Sequence, residues 1–194
     1  MQMPFDAHSD EADHVLLRRF ASGDAVAARI LTLRLTPMVF AHAFRLLGNR
    51  AEAEDVAQEA LLRLWRIAPD WREGEAKVTT WLYRVTANLA TDQLRKRRNV
   101  ALDSVPEPED SAPSAAEGLQ DAARNAALSA ALEGLPERQR QAVVLRHIEG
   151  LGNPEIAGIM DISAEAVESL IARGKRALTQ ALAGRRADLG YDDD

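Results

Sequence analysis

The chain has 194 residues and a formal net charge of −6, a length that suits one medium-sized domain or two small ones. Hydrophobic residues make up 46% of it, which excludes disorder along the whole chain, and the absence of cysteine excludes disulfides and thiolate metal sites. The N-terminal stretch MQMPFDAHSDEADH lacks the pattern of a secretion signal, and no apolar run approaches the roughly 20 residues that span a bilayer. Composition therefore predicts a soluble, cytoplasmic protein.

The first predicted domain covers residues 10–98 and has helical patterns throughout. A first helix is predicted to end near Gly23, and a longer apolar helix after it to end at Gly48. Pro37 lies inside this second helix and predicts a kink or a break. A third helix is predicted from the amphipathic segment RAEAEDVAQEALLRLWRIAPDW, and a fourth, after a polar loop, from TTWLYRVTANLATDQLRKRR.

The charge of the chain changes abruptly after the fourth predicted helix. Arg95, Lys96, Arg97 and Arg98 end that helix, whereas residues 99–121 contain six acidic residues and no Lys or Arg. Segments of this composition, rich in Pro, Ser, Glu and Asp, bury too little apolar surface to fold alone. The sequence therefore predicts a flexible acidic linker, and since the linker alone carries −6, net acidity does not argue against nucleic-acid binding by the rest.

The second predicted domain covers residues 122–184. Two helices are predicted, one before and one after Gly134-Leu135-Pro136. A short third helix is predicted to begin with Asn153 as its N-cap. A three-residue turn leads to a longer final helix with Ser163 as its N-cap, which is the pattern of a helix-turn-helix. A packed helical hairpin without DNA function would have a similar pattern. The predicted fold is all-α, with two small helical domains joined by the linker.

In this order, the two domains resemble the two-domain bacterial sigma factors of the extracytoplasmic-function (ECF) group, in the sigma-70 family. The segment NRAEAEDVAQEALLRLW is similar to the one that binds the clamp helices of RNA polymerase, and VTTWLYRVTANLATDQLRKRR to the one that opens and reads the −10 promoter element. The segments LPERQRQAVVLRHIEGLGNPEIAGIM and SAEAVESLIARGKRAL resemble the domain that binds the −35 element. The resemblance implies core RNA polymerase (clamp helices and flap) and promoter DNA as partners. It also implies an anti-sigma factor, with membrane attachment of that partner as an open alternative.

A polar row on the third helix is the candidate polymerase contact. Asp55, Gln58 and Glu59 lie at i, i+3 and i+4, on the face away from the apolar stripe. A carboxylate, amide and carboxylate in a row suit bidentate pairing with Arg side chains of a partner, although a solvated helix start would have the same residues. The resemblance favours polymerase contact and implies that Leu62 shares it.

The fourth helix combines aromatic and hydroxyl side chains with the basic run. Stacking surfaces beside cationic side chains are typical of single-stranded DNA binding. The alternative is that Trp81 and Tyr83 are core residues and the basic run is a solvated helix end. Side-chain direction predicts that Trp81 is partly buried and that Tyr83, Arg84, Asn88 and Arg95 are more exposed.

Trp71, in the loop from Asp70 to Lys77, is a candidate to flank an unstacked base, because the family places its base pocket in this loop. The basic run would hold promoter phosphates through salt-sensitive contacts. The residues that the resemblance assigns to the −10 element are Trp71, Thr79, Thr80, Trp81, Tyr83, Arg84, Asn88, Arg95, Lys96, Arg97 and Arg98.

The final helix departs from the family pattern Gly-Thr-Val-Lys-Ser-Arg, because it has Glu165-Ala-Val-Glu168-Ser-Leu at those positions. Carboxylates can accept from cytosine amino groups but are repelled by phosphates. We therefore expect an unusual −35 element, read at a cytosine by one of these glutamates. The residues assigned to the −35 element are Ser163, Glu165, Ala166, Glu168, Ser169, Arg173, Lys175 and Arg176.

The four histidines are dispersed, at positions 8, 14, 42 and 147, and form no spacing typical of a metal or catalytic site. We expect no enzymatic activity, metal, cofactor or small-molecule substrate. Two other function classes stay open: a sigma-like decoy that binds only an anti-sigma factor, and a helix-turn-helix repressor, which would leave the first domain unexplained.

Overall fold

The structure, a computed structural model, describes residues 11–72, 74, 76–103 and 119–183. The regular elements in this part of the chain are all helical. They are α1 (Asp13–Ala21), α2 (Ala25–Leu47), α3 (Arg50–Ile67), a 3-10 turn (Ala68–Asp70), α4 (Val78–Asp103), α5 (Leu119–Glu133), α6 (Glu137–Val143) with a π-helical extension (Val144–Ile148), α7 (Asn153–Met160) and α8 (Ala164–Ala183). The ends of the predicted linker 99–121 are thus helical, and residues 104–118 lie outside the described residues.

The first half of the fold is built around α2, which packs against α1, α3 and α4. No break occurs at Pro37, and α2 continues through it as one helix. Leu35 before the proline and Val39 after it are both buried in the same apolar cluster. Packing on both sides of Pro37 therefore offsets the hydrogen bond that the proline removes.

By length and composition alone, α2 could cross a membrane, contrary to the sequence expectation. It has 23 residues and contains an 18-residue stretch of mean hydropathy 1.3. Its buried residues, however, pack inside the helical core, and 44% of that stretch is buried there. These residues are Ala27, Ile30, Leu31, Leu35, Val39, His42, Ala43, Leu46 and Leu47.

Polar side chains cap the starts of α2 and α3, and a glycine ends α2. The Asp24 carboxylate accepts from the backbone N–H groups of Val26 (2.9 Å) and Ala27 (3.2 Å) at the start of α2. The helix ends, as predicted, at Gly48, whose φ of 69° lies in the left-handed region. Asn49 then caps α3 by accepting from the N–H of Glu52 at 3.0 Å. The sharp reversal between α2 and α3 therefore depends on glycine followed by asparagine.

We expect Gly48→Ala to lower the free energy of unfolding by about 1–2 kcal/mol, because an L side chain is strained in the left-handed region. A Cβ atom at this position would also lie 2.6 Å from Cδ of Glu133 in α5. Urea denaturation followed by circular dichroism measures the change. Gly158→Ala in α7 is the matched control, because a Cβ there meets nothing within 4 Å and alanine favours helix. Equal stability changes in the two variants would contradict the expectation.

The second half contains a helix-turn-helix formed by α7, the turn 161–163 and α8. Asp161 adopts a φ of 53° in the turn, and the Ser163 hydroxyl accepts from the N–H of Ala166 at 3.2 Å, which confirms the predicted cap. The Asn153 prediction is wrong by one residue, because Gly152 occupies the N-cap position. The Asn153 amide instead donates to Glu168 of α8 at 3.3 Å and thereby links the two helices.

The two halves pack against each other. Helix α2 contacts α5 and α6, and α4 contacts α7. The buried Arg140 of α6 donates to the carbonyl oxygens of Glu133 (2.7 Å) and Leu135 (3.3 Å) in its own half and also to that of Leu46 in α2. The surfaces predicted to read DNA are therefore arranged within one closed body.

Candidate functional site

The predicted polymerase contacts share an outward face of α3. Asp55 and Gln58 are exposed and Glu59 is partly exposed, and 40% of Leu62 is accessible. Glu59 accepts from Nε of Arg63 at 2.8 Å, and this hydrogen bond holds the pKa of the Glu59 carboxyl below its usual value. Within the part of the chain that the structure describes, Asp55 makes no ion pair. Asp55 therefore offers the more available carboxylate to a partner.

An open groove of about 440 Å³ adjoins this face, between α2 and α3. Its lining is mainly apolar in area and also includes Arg50, Glu54 and Gln58. Leu33 of α2, which is 47% exposed, adds apolar surface to the same pair of helices. An apolar groove beside carboxylates has the chemistry to bind a basic, amphipathic helix of another protein.

Trp71, which follows the 3-10 turn, packs on Trp81 in the first turn of α4. Trp71 and Trp81 meet edge to face with ring centroids 6.0 Å apart, and both pack against the apolar cluster of the first half. Trp81 is partly buried, as predicted. The indole Nε1 of Trp71 is buried and has no hydrogen-bond partner among the described residues. Trp71 is therefore held by packing alone, next to loop positions 73 and 75, which lie outside the described residues.

The first turns of α4 orient the other predicted −10 contacts in different directions. Thr79 and Thr80 are partly exposed, whereas Arg84 and Asn88 are exposed. The prediction for Tyr83 is wrong, because only 7% of this residue is accessible. The exposure of Tyr83 was predicted from residue spacing on α4 alone. That spacing contains no information about the second half, which covers this side of the helix.

The basic run does not act as one solvated cluster. Arg97 turns inward, where its Nε donates to Glu52 at 2.7 Å and its Nη1 to the carbonyl of Leu47 at 3.2 Å. Arg98 donates to Glu137 of α6 at 2.9 Å. Arg95 and Lys96 remain exposed. Only part of the predicted phosphate-binding run is therefore available in this arrangement.

A cluster of four polar residues, here termed the Glu149 cluster, lies between the halves. The Glu149 carboxylate accepts from the Tyr83 hydroxyl (2.8 Å) and from Nη1 of Arg45 (3.0 Å), and Nδ1 of His42 lies 3.3 Å away. Since a carboxylate only accepts, Nδ1 of His42 carries a proton. Nε2 of His42 is buried without a partner among the described residues.

The electrostatics of the Glu149 cluster favour a neutral imidazole beside an ionised carboxylate. Burial lowers the pKa of His42, and the hydrogen bond to Glu149 only partly opposes this shift. Burial acts to raise the pKa of Glu149, but the hydrogen bonds from His42 and Tyr83 and the nearby charge of Arg45 together contribute to a pKa below its usual value. Burial likewise raises the pKa of the Tyr83 hydroxyl, which therefore remains a donor. Sequence reasoning missed Glu149, Arg45 and the role of His42, because Glu149 lies more than 100 residues from the other two along the chain.

The outward face of α8 contains most of the predicted −35 contacts. Glu165, Glu168, Ser169, Arg173, Lys175 and Arg176 are exposed, and Ala166 is partly exposed. Hydrogen bonds from its own backbone N–H and from Ser163 lower the pKa of Glu165, and Glu168 accepts from Asn153. Both glutamates thus have partners inside the helix-turn-helix. The described residues contain no group of three or more metal-ligating side chains.

Comparisons with known proteins agree with these two halves. The family described as "Sigma-70 region 2" matches residues 31–100, and the family described as "Sigma-70, region 4" matches residues 125–178. The ECF RNA polymerase sigma factor SigE of Mycolicibacterium smegmatis is 36% identical over 75% of this chain, and the chain spans 57% of that relative's length. The RNA polymerase sigma-H factor of Pseudomonas aeruginosa is 31% identical over 90% of this chain and 95% of its own length.

Solved structures show the same architecture. The structure of CnrH in complex with the cytosolic domain of CnrY is 27% identical, with a TM-score of 0.65 over 90% of this chain and 99% of that one. The sigma factor RpoE of Bartonella quintana, solved with the anti-sigma factor NepR, has the same fold at 24% identity, with a TM-score of 0.66 over 78% of this chain and 94% of that one. The chain belongs to the sigma-70 family of RNA polymerase sigma factors, in its ECF group.

Proposed function

We propose that this protein is an alternative sigma factor, which binds core RNA polymerase and directs it to promoters that contain a −10 and a −35 element. The observation that carries the proposal is that matches to both sigma regions fall on the two halves of one fold. The outward acidic row of α3 and the outward face of α8 support separate contacts with protein and with DNA. We also propose that the protein is located in the cytoplasm and has no enzymatic activity of its own.

The proposed sites follow the sequence prediction, except that Tyr83 is buried and that Arg97 and Arg98 are paired with glutamates in this arrangement. In this proposal, residues 10–98 bind polymerase and the −10 element, residues 99–121 link the halves, and residues 122–184 bind the −35 element. Asp55, Gln58, Glu59 and Leu62 would contact the clamp helices of the polymerase. Since Glu165 and Glu168 already have partners, Arg173, Lys175 and Arg176 would supply most of the attraction to −35 DNA through phosphates.

An anti-sigma factor would hold the protein inactive in this proposal. CnrH, which is 27% identical over 90% of this chain, is solved together with the cytosolic domain of another protein. The open groove between α2 and α3 offers apolar surface for such a partner. A partner that covers this groove would also cover the adjoining polymerase face around Gln58, and would therefore exclude the polymerase.

Run-off transcription with purified core polymerase tests the proposal. We expect transcripts from a subset of genomic promoter fragments when this protein is added, and none from core polymerase alone. A decoy would yield no transcripts and would bind only an anti-sigma factor, whereas a repressor would bind duplex DNA without polymerase. Failure to yield any specific transcript from a complete fragment library would contradict the proposed function.

A further inference from the structure

The outward face of α8 begins with two carboxylates. Glu165 and Glu168 are exposed there, whereas Val167 between them is buried in the apolar cluster of the helix-turn-helix. In helix-turn-helix proteins, the N-terminal residues of the second helix contact base edges in the major groove. The two glutamates therefore lie at the positions of α8 that such proteins use to read sequence.

The Glu165 carboxylate is held by the start of its own helix. It accepts from its own backbone N–H group and from the Ser163 hydroxyl, and these hydrogen bonds lower the pKa of the Glu165 carboxyl. The same hydroxyl accepts from the N–H of Ala166 at 3.2 Å. A helix N-terminus also stabilises a negative charge through the helix dipole. Glu165 is thus part of the N-terminal cap of α8, and a base would have to compete with these donors.

The Glu168 carboxylate is held by one donor from the other helix of the motif. Its Oε1 accepts from Nδ2 of Asn153 in α7 at 3.3 Å. Since a carboxylate only accepts, the NH2 group of Asn153 must face Glu168 and its Oδ1 must point elsewhere. That Oδ1 is buried without a hydrogen-bond partner among the described residues. Glu168 has no second hydrogen bond in the described part of the chain, so its Oε2 is available to a ligand.

Cationic side chains follow Glu168 along α8. Lys175 lies seven residues after it, which is about two helical turns and about 10 Å along the axis. Arg173 and Arg176 are exposed beside Lys175. Such side chains bind phosphates and carry no sequence information, and their attraction offsets the repulsion between Glu168 and the DNA backbone. Attraction and base readout would therefore come from different turns of one helix.

A carboxylate oxygen directed into the major groove distinguishes bases by their hydrogen-bonding groups. Cytosine presents an amino donor there, whereas guanine presents two acceptors and thymine presents one. Adenine presents its amino donor next to an acceptor. Because a carboxylate accepts and cannot donate, cytosine is the base that it favours.

We propose that Glu168 reads a cytosine of the −35 element, and that Asn153 is the positioning residue that turns the second oxygen of Glu168 toward this base. The inference rests on the proposed sigma-factor function and names the residue that sets its −35 specificity. The sequence pattern left both glutamates as candidates, because it contains no information about the contact between α7 and α8. In this assignment Glu165 caps the helix and only Glu168 reads the base.

The test uses holoenzyme formed from the full-length chain and purified core polymerase. The DNA is a promoter that the natural holoenzyme transcribes, with its −10 element fixed and its −35 region randomised. Sequencing of the DNA that the holoenzyme retains gives the base preference at each position. We expect the natural chain to favour cytosine at one base pair of the −35 region by at least about fivefold, the lower end of the range for a direct base contact.

Glu168→Gln has an expected direction, because Asn153 orients the new amide. The NH2 group of Asn153 would donate to the glutamine oxygen, and the glutamine NH2 group would then face the base. We expect the cytosine preference to be lost at that base pair and a preference for a purine, which presents N7 as an acceptor, to replace it. An unchanged preference in Glu168→Gln, or no cytosine preference in the natural chain, would refute readout by Glu168.

Asn153→Ala tests the positioning role. The Glu168 carboxylate remains but is no longer directed, so the cytosine preference should fall by about two- to threefold at the same base pair and the other positions should keep their preferences. A purely structural role of Asn153 would instead weaken binding to all sequences alike. That outcome would overturn the positioning assignment.

Asp161→Asn is the matched control for charge. It removes one negative charge from an exposed position in the turn of the same motif, and asparagine also tolerates the φ of 53° at this residue. We expect it to leave every base preference within about 1.5-fold of the natural chain. The same loss of cytosine preference in Asp161→Asn and Glu168→Gln would show a general charge effect and would refute the inference.

Glu165→Gln decides between the two glutamates. The cytosine preference should persist in this variant, because the natural Glu165 carboxylate is engaged by the start of its own helix. Loss of the preference in Glu165→Gln alone would assign the readout to Glu165 and overturn the proposal. The proposed function and this inference fail separately. The function fails if the natural holoenzyme yields no promoter-specific transcript, whereas the inference fails if transcription is specific and Glu168→Gln keeps the natural base preferences.

Discussion

A chain that carries both Asp55→Ala and Glu59→Ala should bind core RNA polymerase at least about 30-fold more weakly than the natural chain. Both carboxylates face outward on α3, and Asp55 has no ion-pair partner within the described part of the chain. Truncation would leave the polymerase cations that they meet without partners. Competition for core polymerase against a fluorescent sigma factor, without DNA, measures the change.

Asp70→Ala with Asp92→Ala is the control for this prediction. It removes the same number of charges from exposed positions on the 3-10 turn and α4, and it should leave polymerase affinity within about twofold. Circular dichroism should show unchanged helix content in both variants. If the Asp55, Glu59 variant competed as well as the natural chain, the acidic row would not be the polymerase contact.

Arg140→Met should lower the free energy of unfolding by about 2–4 kcal/mol, because a buried acceptor left without its donor costs about 1–3 kcal/mol. Arg140 is 8% exposed and donates to carbonyl oxygens at the α5–α6 junction and in α2. Methionine fills similar volume but leaves these carbonyls without a donor, which is costly for buried acceptors. Urea denaturation followed by tryptophan fluorescence and circular dichroism measures the loss.

Arg138→Met is the matched control, because Arg138 is exposed on the same helix and surface substitutions usually change stability by less than about 0.5 kcal/mol. Similar stability losses in the two variants would show that the carbonyl contacts of Arg140 do not hold α5, α6 and α2 together.

Much of the fold could be predicted from the sequence, because local patterns determine helix position. Apolar residues at helical spacing placed α3, and Gly48 and Ser163 were correctly predicted as helix boundaries. The outward direction of Asp55 and Gln58 also followed from the apolar stripe of their own helix. Each of these features depends on residues within a few positions of each other.

Features that depend on contacts between residues far apart in the sequence could not be predicted in this way. Tyr83 was expected to be exposed because its own helix points it outward, yet Glu149 lies 66 residues further along the chain. Arg97 was grouped with a DNA-binding run, whereas Glu52, 45 residues before it, pairs with it inside the first half. A single helix pattern contains no information about which distant residue will face it.

The Glu149 cluster has a consequence for how the cell could regulate this protein. Because both sides of the contact belong to one chain, their effective concentration does not depend on how many molecules are made. A separate inhibitor, by contrast, is saturated once the protein outnumbers it. Overproduction would therefore overwhelm an external inhibitor, whereas it would leave unchanged the fraction of molecules in which the two halves are in contact.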